Sequence, residues 1–443
     1  MARQRRRPDP HERGAPRRPR RLRSSLRRGP PVQCVRSRAV PAHVAPLRPR
    51  DRRHHGIPGL QLPVRSRGAH PASPRERRGG SGVTPPGARR QRLEATTRAA
   101  DLPSVLVTAR SSVRYLSGFT GSAGALWIPL ESPPVLVTDF RYEEQVDIEV
   151  ADSIRTHISR EGWIRGVAEV AADATGPIAF EAEGLTVADY ESLRGMLPDI
   201  AFVPLRNLIR TLRQVKTADE VDAIERAIAV AESAFNRLLS TMEWSASPSE
   251  REIATALEME LRRGGSGPLP FDPIVAAGER SALPHATPTG RRVEPGDLLL
   301  IDFGARVDGY CSDLTRTFVR GTPEPWQATL HEQVLEAQRK AREVIGDGVA
   351  CRKVDEVVRG TFARHDMDGF FGHSTGHGIG LDVHEGPSLS SRSDDVLERG
   401  NVVTVEPGLY LPGRGGVRIE DDVRIGEAGA RTLTRLPRAL VRL

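Results

Sequence analysis

Short apolar runs and amphipathic stretches alternate along the first half of the chain. Ser104-Val-Leu-Val-Thr108, Ala125-Leu-Trp-Ile128 and Val135-Leu-Val-Thr138 are bounded by Gly, Pro and Ser, the pattern of buried strands. Helical stretches at 160–172 and 187–196 alternate with them, which predicts an α/β domain closing near Arg213 and poor in catalytic side chains. The period then changes. Thr217-Ala-Asp-Glu220 reads as a capping box, and Val221, Ile224, Ile228, Ala231, Phe235 and Leu238 form one continuous helix face. Ser247-Pro-Ser-Glu250 reads as a second capping box, opening a helix with Ile253, Leu257 and Leu261 stacked and Gly264-Gly265 at its end. From Pro270 the chain is strand-rich and Gly-punctuated, with one further helix expected around 327–345. The domain boundary is placed near Lys216, giving domains at 92–213 and 216–443.

Composition changes this picture only at the N-terminus. The net charge of +8 hides an asymmetry. Residues 1–82 hold 23 Arg, no Lys and four acids, a charge of about +19, whereas the remainder carries about −11. Such an Arg/Pro-rich leader cannot bury enough apolar surface to offset its ordering entropy, so it is expected to be disordered. An RNA-binding arm or a transit peptide are the functional readings. The preferred one is a mis-assigned start codon in a high-GC gene, with translation beginning at Val83. The three cysteines, Cys34, Cys311 and Cys351, make no disulfide framework or closely spaced metal motif, which favours a reducing compartment. No run of 18 apolar residues is present and no apolar h-region follows the early arginines, so neither a membrane span nor a signal peptide is expected.

The candidate chemistry lies in the second half. Leu298-Leu-Leu-Ile-Asp302 and Asp313-Leu-Thr-Arg-Thr-Phe318 flank Asp308-Gly309, a favoured type I′ turn. Symmetric pairing sets Asp302 opposite Thr315 and puts Asp313 on the same sheet face. An Asp after four apolar residues is costly to bury alone. His373-Ser-Thr-Gly-His377-Gly-Ile-Gly380-Leu-Asp-Val-His384 brings three histidines together among small residues. Val402-Val-Thr-Val-Glu406 and Gly416-Val-Arg418-Ile-Glu420 end apolar strands in carboxylates placed symmetrically about Gly413, so a second hairpin would set them side by side. Unneutralised, four such acids would repel one another and shift their pKa values strongly. Divalent cations resolve the conflict.

These residues carry a resemblance. The stretch 216–443 resembles the pita-bread metallopeptidases, the family of methionine aminopeptidase, aminopeptidase P, prolidase and creatinase. Its five-ligand pattern of two Asp, one His and two Glu falls on Asp302, Asp313, His377, Glu406 and Glu420. Thr-Gly-His-Gly-Ile-Gly, Val-Glu-Pro-Gly and Arg-Ile-Glu-Asp stand where the family places them. Arg114-Tyr-Leu-Ser-Gly-Phe-Thr-Gly-Ser-Ala-Gly124 and Thr138-Asp-Phe-Arg-Tyr-Glu-Glu-Gln145 resemble the creatinase/prolidase N-terminal domain. Ser112 stands where many relatives have Asn, a departure expected to lie far from the chemistry.

The fold so implied is an α/β creatinase/prolidase-like N-terminal domain followed by an α+β pita-bread catalytic domain. The resemblance implies two divalent metal ions bridged by Asp313 and Glu420, with His377 and Glu406 completing one site and Asp302 chelating the other. Four carboxylates, one imidazole and no thiolate suit a hard ion such as manganese, with cobalt and zinc as alternatives. Glu406 is the expected proton shuttle. His285 and His384 would be catalytic, while His373, His384 and Arg418 would line the proline side. The implied enzyme is a cytoplasmic, homodimeric Xaa-Pro dipeptidase or aminopeptidase. Its partners would be proline-containing peptides, with no specific nucleic acid and no membrane. Alternatives are a methionine-type aminopeptidase, disfavoured by the N-terminal domain, creatinase, disfavoured by the intact ligand set, and a non-catalytic pita-bread binding protein.

Overall fold

A computed structural model describes residues 86–443. The leader at 1–82 and the start proposed at Val83 lie outside the described residues. Among those described, no helix is long and apolar enough to cross a membrane.

The N-terminal region is a mixed six-stranded sheet in the order Arg155–Ser159, Val135–Asp139, Ala125–Pro129, Ser104–Val107, Ile178–Glu181 and Phe202–Leu205. The three apolar runs form its centre, with Leu106, Leu126 and Leu136 fully buried. The helices Trp163–Val170 and Val187–Met196 fall within the expected stretches. A helix at Pro86–Ala99 precedes the first strand. Its Arg89 and Arg90 are buried and donate to the carbonyls of Tyr115 and Leu116.

The helix Ala218–Thr241 begins at Thr217, whose N–H donates to Glu220 at 3.0 Å. Glu220 also accepts from the Tyr310 hydroxyl at 2.8 Å, so this helix start is tied to a distant hairpin. The next helix, Glu250–Arg263, corrects the expected capping box by two residues: Ser249 and Glu252 form it. Ser247 has φ +51, outside the extended region that an N-cap requires. Glu250 is instead fully buried and accepts from the N–H groups of Ala277 and Thr289 and from Arg280. A second correction concerns helix number. Besides Pro325–Val344, a helix spans Cys351–Ala363. Its buried Val354, Val358 and Phe362 recur at helical spacing and supply the signal that the sequence reading missed.

Each helix pair backs a sheet. Ala218–Thr241 and Glu250–Arg263 share a core with strands of the sheet Val441–Arg442, Leu314–Val319, Leu298–Phe303 and Ile274–Ala277. Pro325–Val344 and Cys351–Ala363 pack on the sheet Glu385–Leu389, Gly376–Gly378, Val402–Val405, Asp421–Gly426 and Gly429–Thr432. A two-stranded ribbon, Gly408–Leu411 with Gly415–Arg418, completes the region. One apolar cluster runs from Leu116 and Leu126 through Val221 and Ile224 to Ile379 and Val402, so the N-terminal and C-terminal regions share a core.

Both hairpin registers follow the sequence symmetry. Asp302 pairs with Thr315, and Asp308 and Gly309 have φ +49 and +85 at the turn as type I′ requires. Gly408 pairs with Arg418 and Val405 with Asp421, both symmetric about Gly413. Glu406 and Glu420 fall in the gap between those two ladders. Their N–H groups turn away to the carbonyls of Thr375 and Thr315 respectively.

Candidate metal centre

Breaks in regular pairing aim three of the four acidic side chains, Asp313, Glu406 and Glu420. Asp302 lies in the strand Leu298–Phe303, whereas Asp313 falls between the strands Tyr310–Cys311 and Leu314–Val319. His377 sits at a bulge against the strand Glu385–Leu389, a device that re-aims a side chain. Its flanking glycines serve strand packing. A Cβ on Gly376 would lie 2.0 Å from the Thr404 carbonyl oxygen, and one on Gly378 1.9 Å from that of Gly386.

Asp302, Asp313, His377, Glu406 and Glu420 all line one cavity of about 350 Å³, together with His285, His373, His384 and Arg418. Ligating atoms of Asp313, His377 and Glu420 lie within 4.8 Å of one another. His377 Nε2 stands 3.7 Å from Asp313 Oδ2 and 3.6 Å from Glu406 Oε1. Its Nδ1 bonds the Gly378 carbonyl at 3.0 Å, which fixes the ring with Nε2 toward the carboxylates.

The electrostatics of the cavity are those of a site short of positive charge. Burial, followed by the charges of Glu420 and Asp302, pushes the Asp313 carboxyl well above its usual range. Burial, then Glu406 and Asp302, does the same to Glu420. Glu406 is pushed up to about 8, by burial first and against the pull of Arg418. His377 is pushed down to about 4 by burial and then by His384, so its imidazole is neutral and able to ligate. The Asp302 Oδ1 atom is buried without a hydrogen-bond partner. The residues present therefore fit divalent cations: oxygen donors in excess, a neutral imidazole and an orphaned acceptor.

Arg418 and His373 line the cavity, but their polar atoms are engaged by the protein. Arg418 donates to Asp302 at 2.5 Å, Tyr410 Oη at 2.9 Å, Thr315 Oγ1 at 3.0 Å and the Pro284 carbonyl at 3.1 Å. Tyr410 Oη is also 2.9 Å from His373 Nε2, while His373 Nδ1 bonds the Ser374 carbonyl. Burial and then Arg418 hold His373 down to about 4. A neutral ring donating from Nδ1 and accepting at Nε2 satisfies this chain. By contrast, His285 and His384 are exposed at the cavity.

Three residues here escaped the sequence reading of candidate chemistry. Tyr410 links Arg418 to His373, and its pairing opposite Gly416 was the available signal. Thr315 donates to Glu420 at 2.6 Å, a role its place opposite Asp302 foreshadowed. Asp422 is buried and accepts the Asp313 N–H at 3.2 Å. Ser112, expected far from the chemistry, donates to Glu181 in a cavity whose wall includes His384.

A hydrolytic metalloenzyme is the class that this fold and donor set define. Residues 222–427 match Metallopeptidase family M24 and residues 89–215 match the Creatinase/Prolidase N-terminal domain. The chain belongs to this family of metallopeptidases. It is 35% identical over 344 residues to an Xaa-Pro dipeptidase of Pyrococcus horikoshii, covering 77% of this chain and 95% of that protein. Among solved structures, an Xaa-Pro dipeptidase from Bacillus anthracis superposes with TM-score 0.76 at 38% identity, covering 81% of this chain and 100% of that one. An X-Pro aminopeptidase from Thermotoga maritima gives TM-score 0.72 at 36% identity, covering 79% and 100%.

Proposed function

We propose that this metallopeptidase hydrolyses the bond between an N-terminal residue and proline, as a cytoplasmic homodimer using two manganese ions. The reading covers both an Xaa-Pro dipeptidase and an Xaa-Pro aminopeptidase, since the similar proteins carry both names. In it, residues 92–213 form the N-terminal domain and 216–443 the catalytic domain. One observation supports it: five candidate ligands line one cavity in which burial and mutual repulsion hold Asp313 and Glu420 above their usual range. Manganese is favoured over zinc because carboxylates dominate and no thiolate is present. The buried free thiols Cys311 and Cys351 accord with a reducing compartment.

Asp302, Asp313, His377, Glu406 and Glu420 would hold the ions. When bound, the ions supply the charge that ionises a water near neutral pH and offsets the developing oxyanion. Glu406, beside the ions, takes a proton from the attacking water and returns it to the proline nitrogen as the C–N bond breaks. His285, exposed at the cavity, donates to the scissile carbonyl oxygen as negative charge develops there. His384 acts from the proline side. Arg418 and His373 shape that side chiefly through Tyr410 and Asp302, the groups they hold. A proline nitrogen in peptide linkage has no N–H, so recognition rests on ring shape and carbonyl contacts.

The test is turnover of Ala-Pro and Ala-Pro-Ala by the protein with added manganese and measured metal content. Hydrolysis of at least one is expected. Metal-loaded protein that cleaves neither, yet releases methionine from Met-Ala peptides, overturns the proline reading.

A further inference from the structure

A second cavity, lined by residues of both regions, has a chemistry of its own. Described residues from both regions line about 600 Å³ of space, among them Arg110, Arg114, Arg306 and Asp382. None of the three guanidiniums has a carboxylate partner among the described ion pairs. Arg114 donates to the Asp308 carbonyl at 2.8 Å. Arg306 donates to the carbonyls of Pro268, Gly309 and Leu381. The Arg110 side chain is exposed and makes no hydrogen bond or ion pair among the described residues. The single acid in the wall, Asp382, is held by Arg213 at 2.7 Å. The nearby Asp308 carboxylate is held by Arg226 at 2.8 Å. Three positive charges thus line one cavity whose single lining acid is engaged elsewhere, while Glu149, which accepts from Thr120, offsets part of the charge of Arg114 from outside the wall. Burial first, with Arg306 adding to it, lowers Arg114 from its usual range, against the opposing charges of Tyr310, Glu149 and Asp308.

The position of this cavity is informative. A smaller cavity of about 210 Å³ shares His384 with the catalytic cavity, and it shares Ser111 and Asp382 with the arginine-lined one. The three lie in series, beginning on the side assigned to proline. A peptide extending beyond proline would follow this series and end in a carboxylate, the group that guanidinium forks bind best.

We propose that Arg110, Arg114 and Arg306 form an oxyanion site between the two regions, filled by the C-terminal carboxylate of a substrate longer than a dipeptide. Free phosphate is the second source of the same chemistry. The peptide arm rests on the Xaa-Pro reading given above. Charge-assisted contacts of this kind are shorter and stronger than neutral ones, but a cavity open to solvent makes them salt-dependent.

The experiment compares Ala-Pro-Ala-Ala with its C-terminal amide at low salt, alongside calorimetric titration with inorganic phosphate. The acid is expected to exceed the amide in kcat/KM by about ten-fold, with phosphate competing against the acid alone. Arg110→Glu should remove both effects. So should the pair Arg110→Gln and Arg306→Gln. Arg306 also holds three carbonyls, so Arg110→Glu, at an exposed side chain with no hydrogen bond among the described residues, separates lost binding from lost folding. If acid and amide react equally while phosphate binds the wild type and not Arg110→Glu, the site stands and its occupant is a free anion. Equal reaction with no phosphate binding overturns it. Phosphate binding without turnover of any Xaa-Pro peptide overturns the peptidase reading and leaves the site.

Discussion

Two regions of this molecule bury carboxylates, and they treat them in opposite ways. Glu385 lies between Lys216, at 3.0 Å, and Arg213, the cations at the start of the second region and the end of the first. Burial pushes its carboxyl up, but Lys216 and Arg213 outweigh burial and bring it down to about 2. In the catalytic cavity Asp313 and Glu420 are as deeply buried, yet each has other carboxylates as its leading charged neighbours, and both are pushed up. Arg418 is the cation facing that cluster, and it is bonded to Asp302. Burial alone therefore does not decide the fate of an acid. The supply of positive charge does, and where the chain withholds it the acids are set to receive it from metal.

The sharpest way to test the comparison is to remove that external charge. Chelation should abolish turnover, a loss of about three orders of magnitude or more, with manganese or cobalt restoring it. Measured metal content must fall and rise with the rate, and full activity in a metal-free protein would break the contrast. Glu406→Ala should lower kcat by about 10²–10⁴ while circular dichroism stays unchanged. A near-wild-type rate removes Glu406 as the proton shuttle.

Substitutions in the two clusters should move stability in opposite directions. Glu385→Ala leaves Arg213 and Lys216 buried without their carboxylate, a loss of about 3–5 kcal/mol in chemical denaturation. The sign with pH is set by the depressed pKa. The contribution of Glu385 is complete above about pH 4.5 and is lost as pH falls toward about 2, so the variant should show a flatter acid limb than the wild type. Glu420→Gln should instead raise the metal-free protein's stability by about 1 kcal/mol, because it relieves repulsion. Destabilisation there would mean that Thr315, its hydrogen-bond donor, matters more than the charge.

The smallest expected effect concerns the leader. A chain starting at Val83 should match the full-length protein in kcat/KM within about twofold at physiological salt, where charges are screened beyond about 8 Å. Crippled folding or catalysis would show that residues 1–82 take part in function.

The sequence by itself determined the features that depend on a few neighbouring residues. The Asp308-Gly309 turn set the register that faces Asp302 with Thr315, and symmetry about Gly413 set the pairing of Val405 with Asp421. Both follow because a tight turn fixes every later pair along a ladder. The five acidic and imidazole candidates were legible for a similar reason, since each follows an apolar strand or a Gly-flanked loop. Tertiary structure decided the rest. Whether Ser247 or Ser249 caps its helix turned on a backbone angle that the motif does not reveal. That Arg418 and His373 meet through Tyr410, and that Glu385 is clamped by residues 169 and 172 positions away, depends on which strands and helices come to lie side by side. Charges neutralise one another by distance in space. Distance along the chain carries no such information, so a sequence shows that an acid is present before it can show whether that acid has a cation.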